Sequence, residues 1–381
     1  MALTDAISLA VGTLSDGRLQ VWAVTQHSGL MTKTKVSARA GAAWTAWSAF
    51  PSPAKFQLNY NDAQPALVCA VQVPGGGLNV FANGLVALPT PKGELTNTAP
   101  VILFTQELAS GPAPTAADWV PWPATPQGYV LWAGAVLGGQ LSANPDIGYQ
   151  AARGPIQLWA MAENGGDLMT ALTGTGGQWE PWVPVKPAPP ASLSVMWPLY
   201  GPNNNSATQN QAVFMSTSIN AEPDANQADL PLYMSTTKIE FAFGENQLPW
   251  AWTAWEEFSP KFPGTGGVAS LAAGVLPEGT MQIFAADTYG ALWSIWQNLE
   301  QNTPVWETAW SKFPLPGGKA LTGLNSGSGD YSGPTLPRYV LATAQDVSGE
   351  LQLFAIGGGT VWTTWKQSTQ VGAPWMAWEE F

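Results

Sequence analysis

The 381-residue chain contains a single cysteine, Cys69, and a single histidine, His27. One cysteine cannot form an intrachain disulfide or a thiolate metal cluster, and one histidine excludes a multi-histidine metal site. We therefore expect neither a metal ion nor a cofactor. Cys69 lies in an apolar run and is predicted to be a small buried side chain. His27 lies in a turn and is predicted to be exposed and without a catalytic role.

Positive charge is also scarce, because 14 Lys and Arg residues face 26 Asp and Glu residues, for a formal net charge of −12. Nucleic-acid backbones and anionic lipid surfaces are bound through clustered Lys and Arg, and no basic run is present. The first residues of the sequence carry no cationic run, and no stretch approaches the roughly 20 apolar residues of a membrane helix. We expect no nucleic-acid partner and no membrane insertion. The predicted location is cytoplasmic, without a signal peptide; release by a non-classical route and oligomer formation stay open.

Long apolar runs are absent, whereas Gly (40), Pro (33) and Trp (21) are abundant and charged residues make up only 10% of the chain. Between residues 281 and 313, three short apolar runs are each closed by Gly, Pro, Asn or Asp. This pattern is typical of short antiparallel strands joined by hairpins. The composition and the pattern together predict an all-β protein.

Two phrases recur along the chain. The first is apolar-Gln-apolar-aromatic-Ala, with one Asn variant: LQVWA (19–23), LNVFA (78–82), IQLWA (156–160), MQIFA (281–285) and LQLFA (351–355). The second is a closing phrase with paired Trp or a single Trp: WTAWSAF (44–50), WVPW (119–122), WEPW (179–182), WTAWEEF (252–258), TAWSKF (308–313) and WMAWEEF (375–381). The closing phrases recur at uneven intervals of about 55 to 75 residues.

Six closing phrases favour a single-domain β-propeller with six blades of four antiparallel strands, and a seventh, diverged blade remains the alternative. The approximate blades are 1–50, 51–124, 125–185, 186–260, 261–316 and 317–381. Pro- and Asn-rich stretches predict long inserted loops at 89–117, 142–155, 198–231 and 325–337. Trp pairs three residues apart point to opposite faces of a strand, so each sheet is expected to be covered on both faces, as in a propeller.

The segment Gly290-Ala-Leu-Trp293-Ser-Ile-Trp296-Gln, followed by Trp306 and Trp310, resembles the repeat of the Photorhabdus-type lectins. The last unit matches through Trp362, Trp365, Trp375 and Trp378; the first unit matches at its start but has Met31 and Thr34 at the Trp-pair positions. This resemblance implies a propeller, typically seven-bladed, that binds fucose and O-methylated sugars between neighbouring blades.

Aromatic side chains are the predicted ligand contacts, because an indole face stacks on the apolar face of a sugar. The candidate ligand-binding residues are Tyr289, Trp293, Trp296, Trp306, Trp362, Trp365 and Trp375. No catalytic residue is assigned. Glu256-Glu257 and Glu379-Glu380 are adjacent pairs whose members face opposite ways, so they are interpreted as structural. A calcium site in the loop 220–229 is disfavoured, since it lacks a recognised ligand spacing.

The sequence thus favours a non-catalytic lectin for fucose-like or O-methylated sugars, with glycans or glycoconjugates as partners. The alternatives are an enzyme that uses Asp and Glu in a central or loop-covered pocket, and a protein-interaction scaffold. Only four arginines are present, Arg18, Arg39, Arg153 and Arg338. Their scarcity disfavours both a propeller sialidase with an arginine cluster and a fucose-binding propeller that places an arginine in every blade.

Overall fold

The structure of the protein, a computed structural model, describes residues 3–25, 29–39, 41–51, 56–57, 68–72, 78–88, 97–107, 110–111, 115–121, 129–136, 156–162, 167–172, 179–186, 188, 193–200, 208–217, 232–240, 254–265, 267–301, 303–321 and 340–381. His27 and the loops 142–155, 220–229 and 325–337 lie outside these residues. Two short 3-10 turns, Ala116–Asp118 and Pro316–Gly318, are the helical segments of the described part. No helix in that part is long and apolar enough to cross a membrane.

The strands of the described residues form six antiparallel sheets. Sheet one contains β1 to β4, which span Ala6–Thr13, Leu19–Thr25, Gly29–Thr34 and Ser48–Ala49. Sheet two contains β5 to β9, which span Phe56–Gln57, Val68–Gln72, Leu78–Leu88, Asn97–Glu107 and Val120–Pro121. Sheet three contains β10 to β13, which span Tyr129–Val136, Ile156–Ala162, Leu168–Leu172 and Val183–Pro184.

The other three sheets follow in chain order. Sheet four contains β14 to β17, which span Leu193–Tyr200, Thr208–Thr217, Leu232–Glu240 and Glu256–Glu257. Sheet five contains β18 to β22, which span Val268–Val275, Met281–Asp287, Leu292–Glu300, Thr303–Trp306 and Ser311–Lys312. Sheet six contains β23 to β26, which span Leu341–Gln345, Leu351–Gly357, Thr360–Trp365 and Glu379–Glu380.

The inner strands of the six sheets contact one another in a closed circle. β1, β6, β10, β14, β18 and β23 each pack against the inner strand of the next sheet, and β23 packs against β1. This arrangement confirms the predicted six-bladed propeller. Sheets two and five each carry one strand more than the expected four, since β5 pairs with β7 and β21 pairs with β20.

The apolar-Gln-apolar-aromatic-Ala phrase forms the strand next to the inner strand of its blade, and in sheets one, three and six its glutamine bonds to the strand that follows. In sheet six, Gln352 Nε2 donates to Thr363 Oγ1 at 2.8 Å, and that hydroxyl donates to the Leu353 carbonyl at 3.2 Å. The same pair of bonds recurs for Gln20 with Thr32 and for Gln157 with Thr170. Buried amide and hydroxyl groups need such partners, so the phrase satisfies polar groups inside the sheet.

Two sequence interpretations are corrected by the fold. The stretch 89–117, expected to be a loop, contains β8, and the stretch 198–231 contains β15, for which the sequence indicated a strand only over 212–218. β8 pairs with β7 along its whole length, from Leu78 opposite Glu107 to Leu88 opposite Asn97. The Pro- and Asn-rich composition led to the expectation of a loop. Pairing with a long partner strand nevertheless satisfies the backbone hydrogen-bonding groups of the stretch.

Candidate functional site

The closing phrases pack across the boundary between neighbouring sheets, which we call a seam and number by its two sheets. The first Trp of three phrases contacts an aromatic ring of the preceding sheet edge to face, and in sheet five Trp306, two residues before its phrase, takes this place. The ring-centroid distances are 5.3 Å for Trp375 to both Phe284 and Phe313, 4.6 Å for Trp44 to Phe381, 5.0 Å for Trp306 to Phe258 and 6.5 Å for Trp179 to Phe81. Edge-to-face aromatic pairs add stability beyond area burial, so aromatic contacts stabilise each of these four seams.

The second Trp of a closing phrase donates its indole N–H to a carbonyl at the end of the preceding phrase. The donor and acceptor pairs are Trp47 to Phe381, Trp119 to Pro51, Trp310 to Pro260 and Trp378 to Pro314. Trp119 therefore occupies the second Trp position of its phrase, although the sequence interpretation placed it first, paired with Trp122. The strand after it confirms this register, because Val120 pairs with Phe104 as Glu379 pairs with Thr363.

Seam 4–5 contains two of the predicted ligand residues, Trp293 and Trp306. Trp293 lies edge to face on Phe262 at 6.4 Å, with the Lys312 ammonium 5.9 Å from its ring centroid. Its indole N–H lies 3.5 Å from Asp287 Oδ2. Both indoles are half-buried, so they join the two blades and still present an accessible edge.

Tyr289 lies in the turn that precedes Trp293 and is 60% exposed. Its backbone N–H donates to Asp287 Oδ1 at 3.0 Å, and Ala291 N–H donates to the same oxygen at 2.9 Å. The buried Asp287 carboxylate thus holds the turn, and the phenol of Tyr289 is free to contact a ligand. Gly290 follows with φ +80°, a conformation that favours glycine, and a Cβ there would lie 2.3 Å from the Leu321 carbonyl oxygen.

Seam 5–6 contains three predicted residues, Trp296, Trp362 and Trp375. Trp296 pairs with Gln282 on the face of sheet five that carries Phe284, and Phe284 contacts Trp375 of sheet six. Trp362 packs from sheet six against Gly317, in the turn after the closing phrase of sheet five. Both walls of seam 5–6 are therefore aromatic, and all three indoles are half-buried.

Trp365 is the remaining candidate, and it faces seam 6–1. It pairs with Gln352, two residues before Phe354, and Phe354 contacts Trp44 of sheet one at 5.8 Å. Sheet one has Thr34 opposite Gln20, the position that Trp365 occupies in sheet six and Trp296 in sheet five. The described seams thus carry different numbers of indoles, with the largest set at seam 5–6.

Two buried lysines lie in these seams, and the sequence analysis did not assign them. Lys366 is 1% exposed and its amino group donates to the carbonyls of Gln370, at 3.0 Å, and Val371. Burial lowers the pKa of Lys366 to about 8, and the nearby Glu278 carboxylate of sheet five opposes that shift. The feature of the sequence that could have indicated these lysines is their position, because each one directly follows the third strand of its sheet.

Lys35 occupies the corresponding position in sheet one and faces sheet six. Its Nζ lies 3.8 Å from Asp346 Oδ2, and both side chains are almost fully buried. Burial lowers the pKa of Lys35, whereas Asp346 and Glu350 oppose the shift. Burial and the Asp346 charge raise the pKa of Glu350, which Lys35 counteracts. In seam 6–1 the Lys35 ammonium therefore interacts with the carboxylates of Asp346 and Glu350.

The remaining carboxylates that the sequence singled out lie on the outer strands of their sheets. Glu256–Glu257 and Glu379–Glu380 form the short outer strands β17 and β26, and their side chains are exposed. Cys69 lies in β6 opposite Phe81. Across the described residues, no three His, Cys, Asp or Glu side chains form a group that could bind a metal ion.

Comparisons with known proteins relate this geometry to solved propellers. No protein-family model and no curated protein sequence matches the chain. Among solved structures, AofleA from Arthrobotrys oligospora is 8% identical, with a TM-score of 0.56 over 100% of this chain and 87% of that chain. The Aleuria aurantia lectin, reported as a six-bladed β-propeller with a novel fucose recognition mode, is 10% identical, with a TM-score of 0.50 over 98% of this chain and 95% of that chain.

An enzyme shares the fold as well. The NanB sialidase from Streptococcus pneumoniae is 10% identical, with a TM-score of 0.54 over 92% of this chain and 65% of that chain. At such low identity these similarities establish the propeller architecture, and the ligand has to be inferred from the seams themselves.

Proposed function

We propose that this protein is a non-catalytic carbohydrate-binding protein that recognises fucose-like or O-methylated sugars at its blade seams, related in function to the Photorhabdus-type lectins. The observation that carries the proposal is seam 5–6, where half-buried indoles from two sheets line one boundary. The similarity in fold to a fucose-recognising lectin supports the same class of ligand.

The physical basis of binding is the two-sided character of a sugar. Its C–H faces pack on an indole, and its hydroxyls bond to polar groups at the rim of the site. Trp296 and Trp375 supply indole surface, while the half-buried Glu278 carboxylate, which already accepts from Thr280 Oγ1 at 3.2 Å, offers an acceptor for hydroxyls. Lys366 is bonded to backbone carbonyls and is covered, so its ammonium is not available to an acidic sugar. A neutral sugar fits these groups.

One observation favours an enzyme instead. The NanB sialidase shares the architecture, and seam 6–1 contains Asp346 beside Glu350, whose pKa is raised. However, Asp346 Oδ1 already accepts bonds from the Ser348 N–H at 3.0 Å, the Ser348 hydroxyl at 2.7 Å and the Glu350 N–H at 3.2 Å. A carboxylate so fully bonded within its own turn is a structural anion, which favours the lectin over a hydrolase.

The proposal is tested by calorimetry with methyl α-L-fucoside, 2-O-methyl fucose, galactose and N-acetylneuraminic acid at millimolar concentration, together with a broad glycan array. We expect binding of the neutral sugars, weakened at least ten-fold by Trp296→Ala and unaffected by Glu380→Gln on an exposed outer strand. Absence of binding to every glycan on the array would overturn the lectin assignment. Turnover of a fluorogenic sialoside or fucoside would establish the enzyme, and capture of a protein that does not depend on glycans would favour an interaction scaffold.

A further inference from the structure

The loop 366–375 connects the third strand of sheet six to the indole of Trp375 in seam 5–6. Lys366 and Trp375 pair with each other as an isolated antiparallel bridge at the base of this loop. Within it, Gln367 N–H donates to the Pro374 carbonyl at 3.0 Å, and Ala373 N–H donates to the Gln370 carbonyl at 3.1 Å. The amino group of Lys366 closes the loop from inside, because it donates to the Gln370 and Val371 carbonyls.

The equivalent positions of the neighbouring blades lack this internal contact. Lys35 pairs with Trp44 in sheet one just as Lys366 pairs with Trp375, but its amino group is directed at Asp346 of sheet six. In sheet five, Gln297 pairs with Trp306, and its Oε1 accepts from the Met281 N–H at 3.0 Å. Among the described residues of these three loops, the loop that leads to Trp375 is the only one bonded to its own buried lysine.

We propose that Lys366 is a positioning residue for Trp375: its buried amino group bonds the loop 366–375 from within and thereby sets the indole that forms one wall of seam 5–6. An effect of this contact on ligand binding depends on the proposed sugar site. Its effect on the conformation of the loop does not depend on that site.

The charge on Lys366 couples the loop to pH. Glu278, in the turn between β18 and β19, is the titratable group that acts on it across the seam, and the atoms bonded to its amino group are backbone carbonyls. In the closed loop the pKa of Lys366 is about 8 because burial disfavours the ammonium. In an open loop the amino group meets water, where the ordinary pKa of lysine is about 10.4. The closed loop is therefore favoured progressively as the pH rises from about 8 to about 10.5.

The test places a single 5-fluorotryptophan at position 375 and follows its ¹⁹F resonance from pH 6.5 to 10. We expect a titration with a midpoint near pH 8 in the wild type, absent in Lys366→Met and retained in the matched control Lys35→Met. Amide hydrogen exchange of residues 367–373, corrected for intrinsic rates, should be at least ten-fold faster in Lys366→Met at pH 9.5. In the wild type, the equilibrium constant for opening of the loop 366–375 should fall on the order of 20-fold between pH 7 and pH 9.5.

Ligand binding is measured separately, as the affinity for methyl α-L-fucoside at pH 7 and pH 9.5. We expect Lys366→Met to weaken binding several-fold at pH 9.5 and to remove its pH dependence. A wild-type Trp375 resonance that does not titrate near pH 8, or that titrates equally in Lys366→Met, would overturn the positioning role. The wild-type titration alone decides the question if Lys366→Met does not fold. Should the loop respond as expected while no sugar binds, the proposed function fails and the positioning role stands.

Discussion

The indole N–H of Trp47 donates to the carbonyl oxygen of Phe381 at 3.1 Å, across 334 residues of chain. This bond joins sheet one to sheet six. The Phe381 ring is buried beneath the Lys33 ammonium, 4.1 Å from the ring centroid, and contacts Trp44 and Phe354. Seam 6–1 closes the circle of blades, so we expect the stability of the whole propeller to depend on it.

Replacement of Phe381 by alanine tests this closure. We expect a loss of about 3–5 kcal/mol in the free energy of unfolding, because a large buried aromatic leaves a cavity between two sheets. Urea denaturation provides the measurement. Phe313→Ala is the matched control, since Phe313 occupies the same place in seam 5–6. A loss below about 1 kcal/mol for Phe381→Ala alone would mean that seam 6–1 does not hold the propeller closed.

The buried Gln352–Thr363 pair leads to a second prediction. Thr363→Val removes the acceptor of the Gln352 amide and leaves a buried donor unsatisfied, which costs about 1–3 kcal/mol. The double variant Gln352→Leu/Thr363→Val leaves no such orphan. It should therefore lose less stability than the two single variants added together. Additive losses in chemical denaturation would contradict a coupled pair.

Glu350→Gln tests the electrostatics of seam 6–1. Because the pKa of Glu350 is raised in the folded protein, the folded state binds this proton more tightly than the unfolded chain does. The associated stability is present at low pH and is lost as the pH rises through the raised pKa. Glutamine cannot ionise, so the stability of Glu350→Gln relative to the wild type should increase between pH 4 and pH 7. Glu380→Gln, exposed on β26, is the control, and equal trends for both variants would refute the prediction.

Alanine variants of Trp375 and Tyr289 distinguish a residue that packs in a seam from a residue that only contacts ligand. Trp375→Ala removes a ring that contacts both Phe284 and Phe313, so we expect a loss of about 3 kcal/mol in stability as well as weaker sugar binding. Tyr289→Ala changes a residue that is 60% exposed and should alter stability by no more than about 0.5 kcal/mol. Thermal unfolding and calorimetry with methyl α-L-fucoside measure both effects. Unchanged stability in Trp375→Ala would show that its ring does not support the seam.

The architecture could be predicted because it is encoded in local spacing. Trp293 and Trp296, three residues apart, do face different seams, and the six closing phrases correspond to six sheets. Amino-acid composition predicted strands and loops less well in sheet two and sheet four. There β8 and β15 form within Pro- and Asn-rich stretches, because a partner strand satisfies their backbone groups.

The sequence by itself determined the all-β class and the propeller architecture, and it favoured six blades over seven, since these follow from a repeat that each unit carries within itself. Only the tertiary structure decided which indoles share a seam, that Lys366 bonds its own loop, and that Lys35 pairs with Asp346. These contacts join residues of different blades or depend on burial between them. Their distances are set by how neighbouring sheets pack, and no spacing along the chain specifies that packing.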